Sequence, residues 1–206
     1  KGFWSLLAFT TQMAVILAMG YVLATAPLTD RLLNRIVSHV HKPHTAIIVA
    51  TLVGGVGSYL NWGFGLVIGG IVAKKLALKV KGVHYPLIIA AAYSGFTMYG
   101  LGLSASIPVL VATPGHPTAA QMGTIPLSET IFSVPMLLTS LVIIITLPLL
   151  NAWLHPKKGE AIVEVDPNID RDANASNAAE DMLEKGTIAS KLNNSRLLSL
   201  LIGALG

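Results

Sequence analysis

The sequence predicts an all-α membrane protein, a polytopic helical bundle with one helical hairpin and one broken helix. Three observations carry this. Of 206 residues, 53% are hydrophobic and only 12% charged, whereas an ordinary soluble domain is about 25% charged. The charges cluster between long uncharged runs. Two of those runs carry helix-breaking residues at their centres. A soluble enzyme, a disordered chain and a disulfide scaffold are all poor fits, the last because there is no cysteine.

Residues 1–154 form the transmembrane region. They hold eight basic residues and two acids, Asp30 and Glu129, and the other six basic and eight acidic residues follow. The basic residues sit in short loops between apolar runs, as topology determinants do. That placement does not form a phosphate-tracking stripe, so no nucleic acid is expected. Phe3–Ala26 is 24 residues without a formal charge, enough to cross a bilayer core that needs about 20, and predicts a span over 3–26. Residues 27–44 place Leu32, Leu33, Ile36, Val37 and Val40 at helical spacing with Arg31, Arg35 and His39 between them. That is an amphipathic helix at the membrane surface.

Thr45–Ala73 is uncharged but has Gly63 and Gly65 at its middle, beside Asn61 and Trp62. Either it crosses once, or two half-helices meet near Asn61–Gly65 and return to the same side. The distribution of positive charge favours a re-entrant hairpin over 45–80. Loops 27–44 and 74–84 then share the cytoplasmic side, the outer loop 113–130 has no Lys or Arg, and thirteen of fourteen basic residues lie inside. Residues 86–112 are again uncharged. Gly100, Gly102, Ser104, Ser106 and Pro108 predict a helix broken around 100–107. A further span is expected over 131–154. Residues 155–196 are polar and read as a cytoplasmic linker, and 197–206 as the start of a truncated span. Both ends look cut, so an internal fragment of a longer protein is expected.

Paired interruptions in successive membrane segments point to a transporter's binding site. Half-helix N-termini offer free N–H groups and positive dipole ends, suited to an anion. No Lys or Arg lies inside any expected span. The donors for a carboxylate would then be Asn61, Ser104, Ser106 and the N–H groups of Gly63, Gly65 and Gly102, with Trp62 and Phe64 covering an apolar tail. The competing reading is that small residues simply let helices pack closely, as in Gly65-x-x-x-Gly69. His39, His41 and His44 lack carboxylate or thiolate partners and read as solvated loop residues, so no metal site is expected. No nucleophile-elbow, zinc-protease or P-loop motif occurs, and nothing marks an enzyme.

Several segments together resemble one family. Gly2-Phe-Trp-Ser-Leu-Leu-Ala-Phe9, Asn61-Trp-Gly-Phe-Gly-Leu-Val67, Tyr85-Pro-Leu-Ile-Ile-Ala90, Ala112-Thr-Pro-Gly-His-Pro117 and the closing Leu-Leu-Ile-Gly-Ala-Leu-Gly206 are similar to the bacterial short-chain fatty acid transporters. That resemblance implies a secondary carrier, a symporter of small monocarboxylates in the bacterial inner membrane, within the ion-transporter superfamily. It implies two inverted repeats, each with a re-entrant hairpin and a broken helix, of which this chain holds most of the first. It implies no cofactor and leaves the coupling ion, H+ or Na+, open. Related members are often dimers, so a homodimer is expected, in contact with the lipid bilayer. The family pattern is richer in glycine at the broken helix and reads T-P-G-N-P later; Leu101, Ala105 and His116 stand here instead. The alternatives are a carrier for dicarboxylates or other organic anions, or a membrane-embedded enzyme or assembly subunit.

Overall fold

The computed structural model describes residues 7–157, 159–168 and 195. The first residues of the expected span 3–26, most of the linker and the span start at 197–206 lie outside them. Every regular element among the described residues is helical. Helix α1 runs over Leu7–Thr25 and α2 over Pro27–Ser38, with a 59° bend between them. Pro27 opens α2, where a missing N–H is no loss. The alternation of leucines and arginines on α2 buries Leu33 and Val37 and leaves Arg31 and Arg35 exposed.

Helices α3 (Pro43–Leu60) and α4 (Trp62–Lys79) are separated by Asn61 alone. They pack antiparallel: a Cβ placed on Gly69 would touch Gly54 at 3.4 Å, and one on Gly57 would lie 2.9 Å from Gly65 Cα. Each arm has 18 residues, about 27 Å of helix, so the arms are longer than the half-helices expected from the sequence. Lysines staple the base of α4 to α2. Lys75 donates to Asp30 Oδ1 and Asn34 Oδ1 at 2.6 Å each. Lys79 donates to the carbonyls of Val37 and Ser38 at 2.7 and 2.6 Å, complementing the negative end of the α2 dipole. The Lys75 hydrogen bond and charge hold the Asp30 carboxyl below its ordinary pKa, with Asn34 adding to the effect.

Helix α5 (Tyr85–Ser94) continues as a 3-10 segment, Gly95–Leu101, and resumes as α6, Ser106–Ala112. Regular α-structure therefore ends at Gly95, earlier than the break expected around 100–107. A Cβ at Gly95 would press on the backbone of Thr51, Gly54 and Gly55, so close approach to α3 tightens the chain here. Pro108, expected to interrupt, lies in the first turn of α6, where its N–H would have no partner anyway. After the short α7 (Ala119–Met122), α8 (Val134–Trp153) returns along α3. Among the described residues three helical segments are long and apolar enough to cross a membrane: Pro43–Leu60, Tyr85–Ala112 and Val134–Trp153. The bent pair α1–α2 makes a fourth if taken as one.

The core lies between the hairpin arms and α5. Ala46, Ile47, Ala50, Val72, Ala73, Leu76 and Ile88 are all fully buried. The polar stretch after α8 starts out attached rather than loose. Tyr85 N–H donates to Val163 O at 2.8 Å, Val163 N–H to His84 Nδ1 at 3.1 Å, and Gly82 N–H to Glu164 Oε1 at 2.6 Å. The buried ring of His155 meets the Gly82 carbonyl at 3.1 Å. Residues 166–206 form a separate unit.

Candidate functional site

The site is built where the hairpin turns. Asn61 is extended, with φ −151° and ψ 126°, and serves as N-cap of α4: its Oδ1 accepts from Phe64 N–H at 3.0 Å. The break thus has a local cause, an asparagine that supplies the cap a new helix needs. The broken segment closes on this turn with two hydrogen bonds. Leu103 N–H donates to Tyr59 O at 2.7 Å, and Trp62 N–H donates to Ser104 Oγ at 2.9 Å. Gly102 allows the approach, because a Cβ there would collide with the Tyr59 carbonyl oxygen.

All seven residues expected from the sequence lie on these two neighbouring segments, though not all their donors are free. The amide of Gly65 is occupied by Asn61 O at 2.9 Å, and that of Gly102 by Tyr99 O at 3.1 Å. Both were expected to offer exposed N–H groups. Instead these glycines permit close packing, Gly65 with its Cα against the backbone of Ser58. Of the first-turn amides of α4, Trp62 and Phe64 are capped by Ser104 and Asn61, which leaves that of Gly63. Asn61 keeps its amide Nδ2, and Ser104, acting as acceptor, keeps its own O–H. Ser106 Oγ pairs with Tyr99 OH at 2.5 Å and also lies 3.9 Å from Met13 Sδ on α1.

Tyr99 is a site residue that sequence reasoning missed. Its ring lies 6.4 Å from that of Trp62, edge-on, and stacks on Phe96 at 5.2 Å. The signal was present as the three-residue spacing of Phe96 and Tyr99, which eclipses side chains in a 3-10 helix. Asn151 was also missed. Its Nδ2 donates to Thr51 Oγ1 at 3.1 Å and Ser94 Oγ at 2.8 Å, tying α8 to α3 and to the last residue of α5 before the 3-10 segment. Both hydroxyls donate to carbonyls of their own helices, so each is free to accept.

The histidines take no part at the tip. His39 and His41 bond to nearby carbonyls, and among the described residues no group of three or more His, Cys, Asp or Glu could hold a metal ion. His116 is buried and pins its own loop, with Nε2 on Gly123 O at 2.8 Å and Nδ1 on Thr118 Oγ1 at 3.1 Å.

A bundle of apolar helices with two irregular segments bonded to each other fits a membrane carrier, and comparison with known proteins names which kind. The family model for short chain fatty acid transporters matches residues 1–206. The chain belongs to the short-chain fatty acid transporter family. It is 37% identical over 205 residues to a protein of Escherichia coli (strain K12) named as a short-chain fatty acid transporter, covering 100% of this chain and 46% of that protein. It is 38% identical over 220 residues to a protein of the same name from Haemophilus influenzae (strain ATCC 51907 / DSM 11121 / KW20 / Rd), covering 100% and 47%. The chain spans about half the length of the curated relatives it matches. No solved structure matches it. The family and both relatives are named for transport, not for an enzyme.

Proposed function

We propose that this short-chain fatty acid transporter family member is half of a secondary carrier that moves small monocarboxylates across the bacterial inner membrane. The observation that carries the proposal is the junction of the hairpin tip with the broken helix, through Trp62 N–H to Ser104 and Leu103 N–H to Tyr59. The hairpin is read as re-entrant, its base and the basic loops facing the cytoplasm. From Trp62 to Ala73 there is no charge, which sets the tip about 18 Å above the first lysine. Within a hydrocarbon core of about 30 Å, that depth lies inside the membrane.

Irregular backbone is tolerated at such depth only when buried in protein or lining a polar cavity. There the free donors, Asn61 Nδ2, the Ser104 hydroxyl and the Gly63 amide, would face a carboxylate, aided by the positive end of α4. Three neutral donors hold an anion without the grip of a buried lysine, which suits a carrier that must also release it. Uptake is read as symport with H+ or Na+, by a homodimer of the full-length protein. Labelled butyrate and acetoacetate uptake by the full-length protein in proteoliposomes tests this. Saturable, ion-gradient-driven uptake of both is expected. Uptake no faster than in empty vesicles would overturn the proposal.

A further inference from the structure

Resting on that reading, we propose that the aromatic column Trp62–Tyr99–Phe96 seats the acid. The indole N–H of Trp62 takes a carboxylate oxygen, and the rings of Tyr99 and Phe96 line the acyl chain. Among the described residues two buried side-chain polar atoms lack a hydrogen-bond partner, Ser58 Oγ and Trp62 Nε1. Both belong to the hairpin tip. Ser58 lies on the arm-to-arm contact, its hydroxyl against Gly65. The Trp62 ring instead stands edge-on to Tyr99, on the side of the broken helix. A buried N–H without an acceptor is costly, and an indole nitrogen can only donate. The group that completes it must be an acceptor, and a carboxylate is the strongest acceptor a small acid offers.

The 3-10 backbone supplies the rest. In an α-helix, residues three apart are offset by about 60° around the axis; in a 3-10 helix they eclipse. Phe96 and Tyr99 accordingly stack with centroids 5.2 Å apart and planes 12° from parallel, and Tyr93 follows at 6.1 Å and 22°. The Tyr99 hydroxyl is held by Ser106 at 2.5 Å, which fixes the middle ring. An extended acyl chain advances about 1.25 Å per carbon. From the Trp62 ring to Tyr99 is 6.4 Å, about five carbons, and Phe96 stands 5.2 Å from Tyr99, about four more. The column thus carries a donor at one end and an apolar lining along the rest.

The test uses the full-length protein in proteoliposomes with labelled acetate, butyrate and hexanoate. Trp62→Phe keeps an aromatic ring and removes the N–H. It is expected to raise the half-saturation concentration for all three acids about ten-fold, with the maximal rate kept. Phe96→Ala is expected to leave acetate and butyrate, too short to reach Phe96, unchanged, and to weaken hexanoate about four-fold for each methylene that loses contact. Benzothienylalanine at position 62, which replaces N–H by sulfur in a ring of the same shape, gives the Trp62 result where Trp62→Phe does not reach the membrane. An unchanged half-saturation in the residue-62 variants, a fall in maximal rate alone, or an equal shift at every chain length for Phe96→Ala would overturn the proposal. If the wild type moved none of the acids, the transport reading would fall with it. Transport by the wild type with indifferent variants removes this inference alone.

Discussion

Of two glycines in the broken helix, two residues apart, only one is expected to suffer from alanine. A Cβ on Gly102 would collide with the carbonyl oxygen of Tyr59 and lie 2.6 Å from its Cα. These are backbone atoms at the end of α3 and cannot turn aside as a side chain would. The loop must retreat by most of an ångström, stretching Leu103 N–H to Tyr59 O and Trp62 N–H to Ser104 Oγ, now 2.7 and 2.9 Å. Two such bonds contribute about 0.5–1.5 kcal/mol each, and overpacking costs roughly 1–3 kcal/mol when the neighbours yield only in part. Gly102→Ala should therefore destabilise the junction by about 2–6 kcal/mol. Around Gly100 nothing lies within 4 Å of an added Cβ, and Gly100→Ala should be neutral. Thermal unfolding of the purified protein, read beside butyrate uptake, distinguishes them. If both variants unfolded and transported like wild type, the contact between hairpin tip and broken helix would not exist as described.

Other outcomes follow from the packing around this junction. Asn151→Ala removes two buried hydrogen bonds but leaves Thr51 and Ser94 with their own acceptors. Its cost in thermal unfolding should be about 1–2 kcal/mol. The Asp30–Lys75 pair has a signed pH dependence. Because Lys75 lowers the Asp30 pKa, the stability it lends is present above the ordinary carboxylate pKa. It is lost as the pH falls through the lowered value. Asp30→Asn should abolish that acid-side component of the melting profile and leave the neutral-pH profile flat. His155→Phe should remove the contact with the Gly82 carbonyl and the acceptor of His84 N–H, seen as faster amide exchange at His84, while Gly82, Val163 and Tyr85, held by Glu164, His84 and the Val163 carbonyl, keep their protection.

Much of the fold was legible because its signals are local. The break at Asn61 could be read from an asparagine that caps and glycines that weaken a helix, and the observed arms, 43–60 and 62–79, bracket it closely. The early loss of α-structure at Gly95 was hidden, because its cause is contact with Thr51 and Gly54 some forty residues away. Pro108 misled for a related reason. Its effect depends on where in a helix it falls, and the first turn tolerates it. At the site, the residue types were visible but their partners were not. Nothing in the sequence says that the amides of Gly65 and Gly102 are already bonded. Nor does it say that Asn151, one polar residue in an apolar helix, reaches two other helices. Such pairings arise only when distant segments meet.

The central claim is that the hairpin tip and broken helix bind the substrate carboxylate through neutral donors. Its most direct measurement is the half-saturation concentration for butyrate in Asn61→Ala and Ser104→Ala forms of the full-length protein, at matched amounts in the membrane. On this account each substitution removes one donor to an anion, worth about 1.5–3 kcal/mol, together with the acceptor of Phe64 N–H or of Trp62 N–H. Each should raise the half-saturation about ten- to a hundred-fold, while Gln12→Ala, on the exposed side of α1, stays at the wild-type value. Wild-type half-saturation in both tip variants would contradict the account and place the carboxylate elsewhere in the protein.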